Sequence, residues 1–163
     1  MSTEKAEFVV STSVNDGRFA REGAVGTVGE AVHFPYLAPD HLVHQLGLRW
    51  IEPGDAAAAV EMTLDERTTL PNGSVQGGLL ATVIDLVCGQ AVGLGLTGPS
   101  MYATRDLTVH YLAGLANGPL RVFARVRRQT RSSMIIQVDA CDAEGVVGAI
   151  ATVSFAVRPS ALQ

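Results

Sequence analysis

The spacing of hydrophobic and polar positions divides this 163-residue chain into a polar start, one long apolar run and several alternating segments. Residues 1–32 are polar and glycine-rich, and we interpret them as an extension, either partly mobile or folded over a domain that covers 33–163. The apolar run extends from Gly77 to Leu96 and is closed by Thr97-Gly98-Pro99. Its length and flanking turn residues predict a buried helix.

Alternating segments on both sides of this run predict strands, and Pro39–Leu46 predicts a short helix. Because the connections are short, we expect consecutive strands to be antiparallel neighbours. A helix that is apolar nearly all round needs cover nearly all round, which one antiparallel sheet curling about it provides. The predicted class is therefore α+β, with about six strands around one long central helix. The predicted strands are 48–51, 56–63, 102–113, 119–130, 133–141 and 147–157.

Composition narrows the function classes. The chain is 47% hydrophobic and 17% charged, with a net charge of −4 and no basic run, which argues against nucleic acid as the main partner. Cys88 and Cys141 have no metal-ligand spacing and form no disulfide framework, so a reduced, cytoplasmic setting is expected. The N-terminus lacks a signal-peptide pattern, and a charged residue in the central run argues against a membrane span.

That charged residue is Asp85, the only one between Thr68 and Thr104. On a helical wheel the large apolar side chains lie opposite Asp85, where they are expected to pack on the sheet. One interpretation is structural, with Asp85 paired to Arg105, to a group elsewhere in the fold, or to another chain. The other is a reactive acid bordering a space, because an unpaired buried carboxylate is costly. The residues within about 60° of Asp85 are nearly all small: Gly78, Ala81, Thr82, Cys88, Gly89 and Val92.

Gln76-Gly77-Gly78 opens the predicted helix, where free backbone N–H groups and the helix dipole attract negative charge. Eight residues separate Gly77 from Asp85, or about 12 Å along the axis. One carbonyl cannot reach both from the same helix. If both act on one carbonyl, two antiparallel helices of a two-fold dimer are required.

These residues resemble the hotdog-fold thioesterases, in particular the acyl-CoA thioesterase group named for the phenylacetate pathway (PaaI-like). The family pattern is Asn-x-x-Gly-x-x-His-Gly-Gly, then an apolar helix containing Asp or Glu, then a strand similar to residues 104–112, TRDLTVHYL. Asp142-Ala143-Glu144-Gly145 is similar to the family's late hairpin. The resemblance covers about residues 33–158 and implies the hotdog fold.

The resemblance implies a role for each matching residue. Gly77 would supply the oxyanion N–H, and Asp85 of the partner chain would act as general base or as nucleophile. Thr104 would place the water through its hydroxyl. Arg128 and Arg131 are candidates to meet the phosphates of coenzyme A, although solvated surface arginines are an equal interpretation. Coenzyme A is then part of the substrate, and no cofactor or metal is expected.

Two positions depart from the family pattern. Gln76 replaces the usual His and cannot titrate. Leu70 replaces the Asn, so Asn72 is the candidate substitute in substrate binding, together with Gly78, which lets a substrate approach the backbone.

Three function classes follow. The first is a cytoplasmic acyl-CoA thioesterase that forms a homodimer or a tetramer of two dimers, without membrane or nucleic-acid partners. The second is a non-catalytic hotdog domain that binds acyl-CoA or acyl-carrier-protein thioesters, which the changes at Gln76 and Leu70 favour. A hydratase on the same fold is a weaker third, because its early Asp-x-Asn-Pro-x-His pattern is absent. The absence of Gly-x-Ser-x-Gly disfavours an α/β-hydrolase.

Overall fold

The structure, a computed structural model, describes residues 28–35, 37–97 and 100–159. One six-stranded antiparallel sheet curves around one long helix, which confirms the predicted class. The strands lie in the order β1-β2-β4-β5-β6-β3 across the sheet. In chain order the elements are α1 (Leu42–Gln45), β1 (Leu48–Trp50), β2 (Ala58–Met62), α2 (Gly77–Gly95), β3 (Ser100–Tyr111), β4 (Leu120–Gln129), β5 (Ser133–Cys141) and β6 (Val147–Pro159).

Helix α2 is the core of the fold. By length and composition it could cross a membrane, yet it packs inside the curved sheet as the core helix. Leu80, Val83 and Val87 are fully buried, as the helical wheel predicts for its large face. Cys88 and Val92, assigned to the small face, are fully buried as well, so the helix is covered on more sides than the wheel suggested.

The expectation that consecutive strands are neighbours is wrong for β3 and β4. β3 pairs with β6 at one edge of the sheet, whereas β4 lies between β2 and β5. Residues 112–119 cross the end of the sheet between them. Leu112 and Ala113 donate their N–H groups to the Gly148 carbonyl, and Leu115 is buried against the core. The segment 112–119 thus covers this end of the sheet. Its short length suggested that β3 and β4 pair directly, but instead it crosses from one edge of the sheet to the middle.

The first described residues lie along the outer side of β1. Gly29 and Val32 donate their N–H groups to the carbonyls of Trp50 and Leu48, and Val32 belongs to the core. Residues 1–27 of the predicted extension lie outside the described residues, so its boundary stays a prediction.

Candidate active site

Asp85 lies in the middle of α2, where it faces the edge strand β3. Its Oδ1 accepts a hydrogen bond of 2.7 Å from the Thr104 hydroxyl. In the described part of the chain Asp85 forms no ion pair, so the suggested pairing with Arg105 is not present. Asp85 is half-buried in a single chain, less than the sequence implied. The structure therefore brings two of the predicted catalytic residues into direct contact.

A β-bulge decides which residues of β3 face the helix. The register with β6 shifts between Thr104 and Asp106, so Arg105 is an extra residue in the strand. Side chains of a regular strand alternate between two faces, and Thr104 and Tyr111, seven positions apart, would lie on opposite faces. The extra residue reverses the alternation. Both therefore contact α2, Thr104 at Asp85 and Tyr111 at Gly77.

The small face of α2 is partly filled by the same strand. The Tyr102 hydroxyl lies 3.3 Å from where a side chain on Gly93 would begin, and its ring lies 4.0 Å from the same point on Gly89. The space that the wheel predicted beside Asp85 is thus narrowed by an aromatic side chain. Glycines at these positions give the tyrosine room to approach the helix.

The N-terminus of α2 offers backbone donors. Gln76 is the cap residue, and its side-chain oxygen accepts the N–H of Leu79 at 2.7 Å. Within the described residues, the N–H groups of Gly77 and Gly78 have no acceptor. A cap that satisfies only the third N–H leaves the first two for an anion or a polarised carbonyl.

These donors open into a groove of about 560 Å³ between the start of α2 and the end of β3. Its wall includes Gln76, Gly77, Gly78 and Tyr111, and the crossing segment supplies Leu115. Tyr111 donates its hydroxyl to the Gly77 carbonyl at 2.7 Å. Asp85 is not among the lining residues, in agreement with the 12 Å axial separation estimated at about 1.5 Å per residue.

The predicted substrate-binding residues fall in two places. Asn72 is exposed in the loop before α2, where its Oδ1 accepts the N–H of Ser74 at 3.1 Å and the hydroxyl at 2.7 Å, so it organises that loop. Arg128 and Arg131 are exposed near the β4–β5 connection. That connection lies beside the far end of α2, because Gln129 donates to the Gly95 carbonyl at 2.9 Å. A single chain therefore does not bring these arginines to the Gly77 groove.

Cys88 lies one helical turn after Asp85. Burial, and secondarily the nearby Asp85 charge, raise the pKa of the Cys88 thiol far above its usual value. A thiol in that state is a poor nucleophile, because the thiolate is the reactive form. Cys88 is therefore a core residue.

Sequence reasoning missed Tyr111. The tyrosine stood in the quoted strand motif, but its contact with Gly77 joins residues 34 positions apart and depends on the bulge. A second, much smaller cavity of about 20 Å³ was also not predicted. It lies between β1, β2 and the second half of α2, next to Trp50 and Gln90, and it has room for about one water molecule.

Comparisons with known proteins agree with this fold. The family model for the thioesterase superfamily matches residues 72–149. A Saccharolobus solfataricus protein, provisionally named an esterase, is 24% identical over 134 residues, which are 82% of this chain and 95% of that protein.

Two solved structures show the same fold. A Haemophilus influenzae thioesterase has a TM-score of 0.70 at 19% identity, covering 77% of this chain and 87% of that one. A Bacillus halodurans protein whose structure contains CoA has a TM-score of 0.58 at 27% identity, covering 61% of this chain and 66% of that one. The expected hotdog fold is thereby confirmed.

Proposed function

We propose that the chain hydrolyses acyl-CoA thioesters at a site shared by two copies. The match of residues 72–149 to the thioesterase superfamily and the similarity to a relative named as an esterase support thioester hydrolysis in general. The observation behind the finer proposal is the 2.7 Å hydrogen bond between Thr104 and Asp85. It fixes a carboxylate that has no ionic partner among the described residues.

In the proposed reaction, Asp85 of one copy takes a proton from a water molecule oriented by Thr104. The water oxygen bonds to the thioester carbonyl carbon, and the carbonyl oxygen becomes an oxyanion. The N–H groups of Gly77 and Gly78 of the other copy stabilise that charge. The carbon–sulfur bond then breaks, and the coenzyme A thiolate leaves and takes up a proton. Direct attack by Asp85, through an anhydride, is the alternative route to the same products.

The edge position of β3, which among the described strands pairs with β6 alone, supports the two-copy arrangement. β3 is a 12-residue edge strand, about twice the usual strand length, and an edge of this kind pairs readily with another chain. It lies next to Asp85, so a second copy docked there would approach the acid. In an antiparallel arrangement of two α2 helices, Gly77 of one copy lies near Asp85 of the other. The β4–β5 arginines of one copy then lie towards the other copy's groove, in agreement with contacts to coenzyme A phosphates.

The first test compares wild type with Asp85→Asn, which keeps the side-chain size and removes the charge. Thiol release from a panel of aliphatic and aromatic acyl-CoAs is followed with a thiol reagent. We expect a loss of at least about 10²-fold in kcat, the contribution typical of a positioned base. Asp40→Asn is the control, because Asp40 is exposed next to α1, which contacts the opposite edge strand β1. Equal kcat values for wild type and Asp85→Asn would exclude the assigned role.

The second test asks whether the site spans two chains. Gly77→Pro removes the N–H, and proline fits the first helical position after an extended residue such as Gln76, whose φ and ψ are −68° and 125°. A mixture of Gly77→Pro and Asp85→Asn chains forms heterodimers that contain one intact site. Random mixing should restore about one quarter of wild-type activity. Gly77→Ala keeps the N–H and adds the same Cβ, so it separates loss of the donor from crowding. No recovery in the mixture would place the site within one chain.

A non-catalytic binding domain is the second candidate, and the cap at Gln76 favours it. The Gln76 side-chain oxygen is already engaged with the Leu79 N–H, and an amide cannot titrate. Calorimetric binding of acyl-CoA by wild type without thiol release across the panel would support this candidate. The PaaI-like grouping, the cytoplasmic location and the choice between a dimer and a tetramer of two dimers stay predictions.

A further inference from the structure

Tyr111 makes a hydrogen bond that core packing does not require. The residue is 56% exposed and lines the groove, yet its hydroxyl donates to the Gly77 carbonyl at 2.7 Å. Atoms of its phenol group lie 3.3–3.4 Å from where a side chain on Gly77 would begin. A solvent-facing tyrosine gains little stability from such a bond, because water would satisfy both groups. Its position in the groove therefore points to a role at the site.

The carbonyl that Tyr111 holds belongs to the peptide group that also contains the Gly78 N–H. A peptide group is planar, and in its trans form the carbonyl and the N–H point in opposite directions. A donor on the oxygen therefore fixes where the N–H points and also polarises it. The first turn of a helix lacks restraints on its N–H side, so a second donor on the carbonyl is an effective restraint.

The tyrosine itself is held at the end of β3. Tyr111 is paired with Ala149 in the β3–β6 ladder, and the next residue, Leu112, donates its N–H to the Gly148 carbonyl. The bulge around Arg105 turns the Tyr111 side chain towards α2. The pairing with β6 therefore fixes the backbone of Tyr111, and the hydroxyl contacts the start of α2.

We propose that Tyr111 is a positioning residue for the oxyanion site: its hydroxyl holds the Gly77–Gly78 peptide so that the free N–H of Gly78 points into the groove. This inference rests on the proposed thioesterase function. Tyr111 acts through the backbone and does not contact the reacting atoms.

The test compares Tyr111→Phe with wild type, and Thr108→Val is the control. Both variants remove a hydroxyl from β3, but Thr108 is exposed and its hydroxyl donates to Asp106 on the same strand. For Tyr111→Phe we expect kcat to fall about tenfold, less than the 10²–10³-fold typical of losing an oxyanion donor itself. KM and the unfolding midpoint should change little, since the contact restrains a peptide and binds no substrate group. Thr108→Val should retain wild-type kcat.

A second readout does not depend on turnover. The backbone amide resonances of Gly77 and Gly78 should shift and exchange faster in Tyr111→Phe and remain in place in Thr108→Val. An unchanged kcat with unchanged amide resonances would overturn the proposal. A lower kcat that is explained entirely by a smaller folded fraction at the assay temperature would also overturn it. If wild type releases no thiol from any acyl-CoA, the proposed function fails. In that case the amide resonances alone decide whether Tyr111 positions the peptide.

Discussion

Replacing Gly148 by alanine tests whether the crossing segment depends on a residue without a side chain. A Cβ at Gly148 would overlap Cγ and Cδ2 of Leu115 and would lie 3.0 Å from the Ala113 carbonyl oxygen. Leu115 is only 2% exposed and packs into the core. Apart from the side that borders the groove, Leu115 is surrounded by core side chains, so room for the new Cβ requires these side chains to shift. Overpacking of this kind costs about 1–3 kcal/mol, and we expect Gly148→Ala to lose that amount of unfolding free energy.

The pair can be examined as a double-mutant cycle. Leu115→Ala alone should cost about 2–5 kcal/mol, because it removes a buried leucine. In the double variant the new Cβ occupies room that Leu115 has vacated, so the total loss should be close to that of Leu115→Ala alone. The expected coupling is therefore about 1–3 kcal/mol, reduced by whatever strain the Ala113 carbonyl retains.

Urea unfolding at one fixed protein concentration measures these differences, because a change in the midpoint at constant slope reports stability. Gly114→Ala is the matched control in the same segment. Its Cβ would meet only the Ser74 Cβ at 3.5 Å, an ordinary contact, so its stability should stay within about 0.5 kcal/mol of wild type. Additive losses from Gly148→Ala and Leu115→Ala, or a neutral Gly148→Ala, would refute the reasoning.

Three further predictions concern single side chains. Thr104→Val removes the donor to Asp85 and should lower kcat/KM about tenfold, or about 1.4 kcal/mol, in the thiol-release assay. Thr104→Ser keeps a hydroxyl and should retain most of the activity. A valine variant as active as wild type would contradict this role. Gln76→Ala removes the helix cap and should lower the unfolding free energy measured in urea by about 0.5–2 kcal/mol. Gln76→Ser should restore part of that free energy. Equal stability of Gln76→Ala and wild type would argue against the cap. The hydrogen bond and charge of Arg125 lower the pKa of Asp55. The pair therefore stabilises the folded state at pH values above the unfolded-state pKa of Asp, about 3.9. This stabilisation is lost as the pH falls below that value. Arg125→Gln should therefore show a smaller drop in unfolding midpoint between pH 6 and pH 3 than wild type, and identical drops would refute the coupling.

The periodicity of the chain is sufficient to predict α2 and the six strands, because these elements depend on local spacing of apolar residues. The lone charge in an apolar run likewise singles out Asp85 as the candidate acid, because burying an unpaired carboxylate lowers the stability of the fold. The contact of Thr104 with Asp85 does not follow from spacing. The resemblance to a family position points to Thr104, and the structure adds that its hydroxyl contacts the acid.

Strand order and the contact of Tyr111 with Gly77 could not be predicted from periodicity. Loop length alone does not say that residues 112–119 cross the end of the sheet, because that path depends on the packing of Leu115 against Gly148. A single-residue bulge is equally hidden. Alternation before and after it looks regular, and only the register with β6 shows that the two halves of β3 are out of phase.

The edge strand β3 links the two halves of the candidate site. Tyr102 approaches α2 at Gly93, Thr104 bonds Asp85, and Tyr111 bonds the start of the helix at Gly77, so β3 runs antiparallel along most of α2. In the proposed two-copy arrangement, a second copy that docks along β3 would therefore order the acid and the oxyanion donors through one strand. A substitution that blocks this docking should then lower activity for two reasons: the partner's half of each proposed site is lost, and the strand that aligns the chain's own half is no longer held.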